Sequence, residues 1–476
     1  MKCQGLWWGG VFVLICSGLA ASALAQQPWG AMGPSLTRPA GYSYGGGEYA
    51  YAEQPAAPSP APGAAPSAKP AAEESCGLMC LPRCCVSRRC CNGCLPDPWT
   101  LFPEFDSGLK IGGWVSAGIF ANAWGSELNG PIAYRPENDF TVDQTWLFVD
   151  KPADTSCRAF DWGFRFDILF GADGPDTRAF RNSRFAWDNA WISSDDGVYG
   201  TAIPQLYAVV AWNKLSVKLG HFFSPIGYER VPVTENFFYS HSYCHQFGEP
   251  QTLTGVLASY EVTDGLNIHA GWTTAWDTAF DNPGEASLFL GGVDVPIGQR
   301  IIFTWMVSGG DLGERWGLDW GDLYMNSFVV KFAINERWTY VFQHDLGLVT
   351  NAGGQVPNGQ WYGINQYLFF KINECWSLGG RFEWFHDDDG LAWLAGSPAW
   401  SGGVFSGWFP YLWTGAAPDL YALTLGLNWK PHANLTIRPE IRYDWANGNF
   451  IPGARPFNDG QDREQLSGGV DLIFTY

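Results

Sequence analysis

The chain has 476 residues, of which 46% are hydrophobic and 16% aromatic, with 26 Trp, 32 Phe, 19 Tyr and 58 Gly. Its formal net charge of −19 argues against nucleic acid as a partner, because phosphate contacts need Lys and Arg side chains. After the N-terminus no run approaches the roughly 20 consecutive apolar residues of a transmembrane helix, which leaves a large soluble β-protein or a membrane β-barrel.

Residues 1–25 have the pattern of an export signal. Lys2 supplies a short positive region, Leu6–Ala20 an apolar core, and Ala23–Ala25 a small-x-small cleavage site. The core is too short to span a bilayer, so we expect a cleaved signal peptide and a mature chain that starts at Gln26 outside the cytoplasm.

Residues 26–75 are dominated by Ala, Pro, Gly and Ser. Such a segment cannot bury enough apolar surface to offset the entropy of ordering it, so we predict a disordered linker.

The next segment, 76–98, holds seven of the chain's twelve cysteines. In an oxidising compartment disulfides are favoured over thiolate metal sites, and adjacent cysteine pairs do not belong to an ordinary zinc finger. We therefore predict disulfides, and no metal, for Cys76, Cys80, Cys84, Cys85, Cys90, Cys91 and Cys94. Because seven is odd, at least one thiol stays free or pairs with Cys157, Cys244, Cys375 or another chain.

From residue 99 to residue 476 the pattern of apolar and polar residues is uniform and predicts one β-domain. Apolar and polar residues alternate with period two in 162–170, 376–384, 421–429 and 435–445, as in half-buried strands. About sixteen candidate strands follow this pattern: 109–123, 140–151, 160–171, 203–212, 215–224, 251–262, 266–276, 287–295, 300–309, 322–334, 337–349, 360–373, 376–387, 419–430, 434–446 and 463–476.

The connections between these strands alternate in length. Tight turns such as 213–214 and 335–336 alternate with longer connections such as 225–250 and 388–418. This rhythm predicts an all-β fold, a transmembrane antiparallel up-and-down β-barrel with short periplasmic turns and long outer loops. A soluble β-sandwich, whose apolar face would fill a core, is the alternative.

Aromatic residues near the strand ends support the membrane interpretation, because Trp and Tyr favour both interfaces. The last strand ends the chain with Phe474 and Tyr476 in phase with its apolar face. This ending resembles bacterial outer-membrane barrels, whose terminal aromatic residue is recognised by the barrel-insertion machinery.

Over roughly residues 105–476 the chain resembles the β-barrel porin family described as OmpL-like. The similarity is best in 219–277, a strand, a loop that opens on Ser-Pro-Ile-Gly-Tyr-Glu, and a following hairpin. The resemblance implies a pore in the bacterial outer membrane. It carries no catalytic or ligand signature and names no solute.

The third outer loop, 225–250, is expected by fold-level analogy to fold inward and narrow the pore. Charges of both signs at a constriction sort solutes by charge and dipole. The candidate pore-lining or constriction residues are Arg165, Asp167, Lys218, Glu229, Arg230, Glu235, Arg381, Glu383, Arg438, Glu440, Arg442 and Asp444. The alternative is that these charges pair with one another and only solvate the wall.

Other chemistry finds little support in the sequence. His241, Cys244 and His245 could ligate a metal, but adjacent Cys244 and His245 are awkward for chelation and no second ligand pair follows. No GxSxG, HExxH or P-loop pattern occurs, so we predict neither an enzyme nor a cofactor. The loop 391–413 is unusually apolar, and its role stays open.

The sequence thus predicts an outer-membrane porin, a passive diffusion channel for small hydrophilic solutes or ions. One alternative is a structural outer-membrane barrel, tethered or cross-linked through its Cys-rich segment. Another is a secreted, soluble β-rich carbohydrate-binding protein or hydrolase. The expected partners are outer-membrane lipid, small hydrophilic solutes, the insertion machinery, and a second copy or a disulfide-linked neighbour.

Overall fold

The computed structural model describes most of the chain from Trp99 onward. The described residues are 95, 98–103, 105, 107–123, 139–179, 188, 198–280, 282, 284–315, 318–319, 321–350, 358–388, 418–448, 450, 455–458 and 461–476. The predicted signal peptide, the linker, the seven clustered cysteines and the loop 391–413 lie outside them.

Sixteen long strands and one small hairpin make up the described sheet structure. The strands are β1 Lys110–Asn122, β2 Phe140–Lys151, β3 Phe160–Gly171, β4 Gly200–Trp212, β5 Leu215–Phe223, β6 Thr252–Thr263, β7 Leu266–Thr273, β8 Ser287–Ile297, β9 Ile301–Asp311, β10 Glu314–Arg315, β11 Leu318–Asp319, β12 Asp322–Ala333, β13 Trp338–Thr350, β14 Gly359–Lys371, β15 Trp376–Asp387, β16 Asp419–His432, β17 Leu435–Asn447 and β18 Glu464–Thr475.

The sixteen long strands form a closed antiparallel barrel in which chain neighbours are sheet neighbours. Closure comes from pairing of the first strand with the last, as in the register Trp114↔Thr475. The predicted barrel and its strand count are confirmed. The hairpin β10–β11, which lies in the connection between β9 and β12, was not predicted.

Turns and loops segregate to opposite ends of the barrel. Two-residue turns at 213–214, 264–265 and 433–434 lie at the end that also holds both described chain ends, whereas 224–251 and 388–418 leave from the other. The turn 264–265 uses Gly265 at φ +75°, which L-residues rarely adopt. Short turns on one side and long loops on the other match an outer-membrane barrel.

Burial is inverted relative to a soluble protein. On β17 the inward Arg438 and Arg442 are 1% and 0% exposed, whereas the outward Ile441 is 51% exposed. Leu425 on β16 is 55% exposed. An apolar exterior around a polar interior fits hydrocarbon on the outside and rules out the soluble β-sandwich.

Aromatic pairs mark both rims of the apolar exterior. At the turn end, the rings of Trp376 and Trp429 stack with centroids 5.3 Å apart. At the loop end, Tyr421 and Trp445 stack at 5.3 Å. Such belts suit the two membrane interfaces, where amphipathic rings are stable.

The chain that leads into β1 is fastened at the turn end. The amide of Trp99 donates to Oδ1 of Asn434 and its carbonyl accepts from Nδ2 of Asn434, both at 2.7 Å. The Trp99 ring also packs against Phe474 with centroids 6.4 Å apart. Among the described residues, no helix is long and apolar enough to cross a bilayer.

Candidate functional site: a channel narrowed by an inward loop

The connection between β5 and β6, residues 224–251, lies inside the barrel and is called the constriction loop below. Its backbone is bound by side chains from distant strands. Gln144 on β2 donates to the Val231 carbonyl at 2.8 Å, and Trp361 on β14 donates to the Gly248 carbonyl at 3.1 Å. Because β2 and β14 are well separated in the strand order, the loop crosses the lumen.

The middle of the loop is held by a chain of alternating charges. Arg381 contacts Glu229 of the loop and Glu383 of the wall, each at 2.7 Å. Arg442 contacts Glu383 at 2.7 Å and Asp444 at 2.8 Å. All five side chains are buried, and each cation lies between two carboxylates, so these charges act as an anchor.

The same two arginines bind the loop backbone. The His241 carbonyl accepts from Arg381 at 3.3 Å and from Arg442 at 3.2 Å. The Tyr243 hydroxyl donates to Asp444 at 2.6 Å. The Arg381 guanidinium beside Glu229, with hydrogen bonding from His241, holds the pKa of that carboxyl below its usual range despite burial.

A second anchor lies closer to the turn end. Arg438 forms a two-bonded pair with Asp471, at 2.9 and 2.6 Å. It also donates to the loop carbonyls of Val233 at 3.0 Å and Asn236 at 2.7 Å. Glu440, on the same face of β17, accepts from the loop amides of Tyr239 at 2.7 Å and Ser240 at 3.2 Å.

The C-terminal end of the loop is fastened differently, by two acids. Glu249 and Asp345 both accept from Nε2 of Gln343, with the Asp345 bond at 2.7 Å. Both carboxyls are buried, at 1% and 0% exposure, and burial raises the pKa of Glu249 well above its usual range. Gly227, at φ +82°, lies so close to the Glu249 carboxyl that a Cβ there would overlap it.

The loop-end half of the lumen is partly filled by apolar side chains. Tyr243 and Phe247 of the loop belong to a buried cluster with Trp276, Trp361 and Phe385. The rings of Trp276 and Trp361 meet edge to face at 6.1 Å. Packing of this kind excludes water from that side of the barrel.

Other charged side chains inside the barrel keep partial exposure. The half-buried residues are Lys218 on β5, Arg230 and Glu235 on the loop, and Lys331 on β12. Arg230 interacts electrostatically with both Glu235 and Lys331. Burial raises the pKa of the Glu235 carboxyl to about 7.

The wall behind these residues carries a tightly paired charge. Arg165 binds Asp167 through two bonds of 2.7 and 3.0 Å, and Asp167 also accepts from Trp146 at 3.0 Å. The Lys218 ammonium lies 4.4 Å from the ring centre of Tyr207. The Arg165–Asp167 pair is therefore buried, whereas the neighbouring Lys218 stays half-buried.

A polar pocket lies on the loop-end side of the constriction loop. It is lined by Asp173, Asp176, Thr177, Val231, His241, His245, Gln246 and Gln251. The rings of His241 and His245 stack at 4.5 Å, whereas the Cys244 thiol is directed to Asp345. Within the described part of the chain, no three His, Cys, Asp or Glu side chains are arranged to hold a metal.

The structure places all twelve sequence-predicted pore residues in the barrel interior. Seven of them form or support loop anchors: Glu229, Arg381, Glu383, Arg438, Glu440, Arg442 and Asp444. Of the other five, Lys218, Arg230 and Glu235 are half-buried, and Arg165 and Asp167 are buried and paired with each other. Their part in solute selection stays a prediction.

The two terminal aromatic residues differ in placement. Phe474 faces outward with 39% exposure. Tyr476 exchanges backbone bonds with Gly113, and its hydroxyl donates to the Trp146 carbonyl at 2.8 Å.

Sequence reasoning missed several interior residues that contribute to the site. Lys331, Gln343 and Asp345 are inward residues on strands whose other inward positions are mostly apolar or small, so no charged stripe marked them. Asp471, the partner of Arg438, lies in the last strand, where the alternation was visible. Its position opposite Arg438 in the strand register was the available signal.

A family model described as "Putative beta-barrel porin-2, OmpL-like" matches residues 108–476. A comparison with curated proteins found no match.

Solved structures with a similar fold are outer-membrane barrels. The outer membrane channel DcaP of Acinetobacter baumannii aligns with a TM-score of 0.52 at 10% identity, over 79% of this chain and 100% of that one. An anion-selective porin from Comamonas acidovorans has a TM-score of 0.52 at 9% identity, covering 77% and 99%. OmpT, an outer membrane protein of Vibrio cholerae, has a TM-score of 0.48 at 12% identity, covering 77% and 97%.

Proposed function

The chain belongs to the OmpL-like β-barrel porin family and is a porin of the bacterial outer membrane, and from this premise we propose how it conducts. Small hydrophilic solutes or ions diffuse passively through an off-centre passage between the constriction loop and the wall around β3, β5 and β12. No bond is made or broken. The observation that carries this proposal is a group of inward charged side chains, Lys218, Arg230, Glu235 and Lys331, that stay half-exposed while the charges that hold the loop are buried and paired.

Two physical effects govern such a passage. About sixteen strands leave room for an aqueous channel, and the constriction loop then reduces its cross-section. Arg230, Glu235 and Lys331 place charges of both signs beside the remaining water, where they act on a passing ion at short range. Size and charge together would decide which solutes cross.

Reconstitution in a planar bilayer tests the proposal directly. We expect stepwise conductance that does not depend on an energy source, with a linear rise of current at low voltage. Protein that runs as a compact, heat-modifiable band but yields no conductance steps would contradict it. The matched control is the same sample after heat denaturation, which should add no steps.

The structural tether remains a second candidate because of the clasp between Trp99 and Asn434. These two hydrogen bonds of 2.7 Å hold the chain at the turn end, five residues after Cys94. Substituting the seven clustered cysteines with Ser should leave conductance unchanged and abolish any disulfide-linked species on non-reducing gels. Loss of conductance in that variant would tie the segment to the channel.

A further inference from the structure

Four side chains on the neighbouring strands β6–β9 form a hydrogen-bonded series inside the barrel. Oγ of Ser259 on β6 lies 2.8 Å from Nδ1 of His269 on β7. Nε2 of His269 lies 3.0 Å from one carboxylate oxygen of Asp294 on β8. The other oxygen of Asp294 accepts from the hydroxyl of Thr304 on β9 at 2.6 Å. A hydroxyl, an imidazole and a carboxylate are thus joined in that order.

The carboxylate fixes where the imidazole carries its proton. An ionised carboxylate only accepts hydrogen bonds, so its contact with Asp294 places a proton on Nε2 of His269. Nδ1 of the neutral ring is then an acceptor, and the hydroxyl of Ser259 donates to it. A serine bound to a base, with the base oriented by an acid, is the arrangement that activates a hydroxyl as a nucleophile.

The strand register holds these groups in place. Ser259 is paired directly with His269 across β6 and β7, and Asp294 directly with Thr304 across β8 and β9. Groups mounted on paired strands are positioned more precisely than groups on loops. Ser259 and His269 are 10 positions apart in the chain, and His269 and Asp294 are 25 apart, so no short sequence motif marks the set.

The serine is open to the interior of the barrel. Val256 and Tyr260 on β6 face outward, with 37% and 49% exposure, so by alternation Ser259 faces the lumen. Ser259 is half-buried, whereas His269 and Asp294 are 5% and 9% exposed. A solute in the lumen therefore meets the hydroxyl first, and the acid lies behind the base.

A side-chain amide lies beside the serine on the same inward face. Asn267 precedes His269 by two residues on β7, which makes it a diagonal neighbour of Ser259, about 7–8 Å away between Cβ atoms. Its Nδ2 donates only a long bond of 3.5 Å, to the carbonyl of Gly265. An amide N–H in this position can donate to the oxygen that becomes negative when a carbonyl group is attacked.

We propose that Ser259 is the nucleophile of a site that hydrolyses small, water-soluble carboxylic esters. Oγ of Ser259 bonds to the ester carbonyl carbon while its proton moves to Nδ1 of His269. The bond from that carbon to the alcohol oxygen breaks, and Nδ1 gives the proton to the departing alcohol. Water then gives a proton to Nδ1 as its oxygen bonds to the acyl carbon. The acid leaves, and the proton returns to Oγ. Asp294 stays ionised throughout and positions the ring.

A serine-reactive fluorophosphonate tests the nucleophile on the native barrel in detergent. We expect covalent labelling that maps to Ser259 by mass spectrometry and is lost on heat denaturation before the reagent is added. The matched control is Ser216 on β5, which is paired directly with Ser259 and also faces inward. Ser216 should stay unlabelled. Absence of an adduct at Ser259, or equal labelling of both serines, would overturn the proposal.

Turnover of p-nitrophenyl acetate tests the whole cycle. Native protein should release many equivalents of nitrophenol per chain, and S216A should match it. S259A should abolish the release. H269Q and D294N should each lower kcat by about 100-fold or more with KM nearly unchanged, because the base is removed or misoriented. Heat-modifiable migration verifies that each variant folds. Release that stops at one equivalent, or that persists in folded S259A, would overturn the proposal.

Discussion

Arginine serves two different purposes inside this barrel. Arg381 and Arg442 are fully buried and each contact two carboxylates, so their charges are neutralised in place. Arg230 donates to the carbonyls of Ser224 and Ile226, at 3.5 and 3.3 Å, and is half-buried beside the passage. A passing ion therefore experiences Arg230 far more than the anchored pair.

Replacing Arg230 should change ion selectivity. One unit charge about 8 Å from a permeating ion contributes about 0.5 kcal/mol in water, or roughly two-fold in permeability. We expect R230Q to shift the cation-to-anion permeability ratio about two-fold toward cations, measured as reversal potential in a salt gradient. R337Q, in the turn between β12 and β13, should leave the ratio unchanged. Equal shifts in both variants would contradict a local effect.

Glu235 should make selectivity depend on pH. Its pKa is raised to about 7 by burial, so the carboxyl is neutral in mild acid and ionised in mild alkali. As pH rises through about 7 the passage gains a negative charge, and preference for cations should increase. Reversal potentials between pH 6 and 8 measure this change. E235Q should flatten the curve of reversal potential against pH. If the curve of E235Q matched that of the native protein, a group other than Glu235 would titrate in this range.

At the scale of the element, the constriction loop depends on buried ion pairs whose partners are far apart in sequence. Removing one partner leaves a buried charge without compensation, at a cost of about 3–5 kcal/mol. We expect R442M to leave the buried Asp444 without its cation, loosen the loop, and produce noisier and larger single-channel currents with a lower thermal midpoint.

The control for this prediction is an exposed pair on the same sheet. Lys371 contacts Glu374 at 2.8 Å in the turn after β14, where an ion pair contributes about 0–1 kcal/mol. K371M should leave both the midpoint and the current noise close to the native values. If R442M changed the thermal midpoint and the current noise as little as K371M, the buried ion pairs would not hold the constriction loop in place.

The two acids at the C-terminal end of the loop should make docking sensitive to alkali. Glu249 has a raised pKa, so docking takes up a proton and becomes less favourable as pH rises above the ordinary Glu pKa near 4.5. Undocking would expose Cys244, which is buried beside Asp345. We expect maleimide labelling of Cys244, mapped by mass spectrometry, to accelerate with pH beyond the intrinsic thiol effect.

E249Q should reduce that acceleration because a neutral amide keeps the shape of the protonated acid. The labelling rate of Cys157 is the control, because this exposed thiol reacts without any loop movement and so reports the effect of thiolate formation alone. Identical pH profiles for Cys244 in native protein and E249Q would show that this carboxyl does not control docking.

At the scale of the whole molecule, the sequence predicted the barrel well because its signal is repetitive. Period-two alternation in segments such as 435–445 placed all sixteen strands. The alternation of short turns and long loops indicated which end of the barrel carries the periplasmic turns and which carries the outer loops. The inward direction of Arg438 and Arg442 followed from the same alternation. These features depend only on neighbours along the chain.

The interior pairings could not be predicted in this way. Glu229 meets Arg381 across 152 positions, and the Tyr239 amide meets Glu440 across 201. Such contacts depend on how one long loop enters the lumen, which no local pattern specifies. Sequence reasoning therefore found the right charges but did not separate anchors such as Glu383 from passage residues such as Arg230.

The barrel should not need its N-terminal extension. Deleting residues 26–94 leaves β1–β18 and the Trp99 clasp intact, and we expect heat-modifiable migration and conductance steps like those of the full chain. Cell-envelope fractionation of the two forms would show whether the extension alters retention in the membrane. A truncated chain that fails to form the compact band would contradict an independent barrel.

The seam between β1 and β18 also governs when this molecule can be completed. Trp114 is paired with Thr475, and the amide of Tyr476 donates to the carbonyl of Gly113. The edge of β1 therefore waits unpaired until the last residues of the chain arrive, and no part of the wall can close early. Until that pairing forms, β1 and β18 are both edge strands, and open strand edges readily pair with other chains. The last strand thus removes the two edges together, and a chain that lacked β18 would remain an open, aggregation-prone sheet.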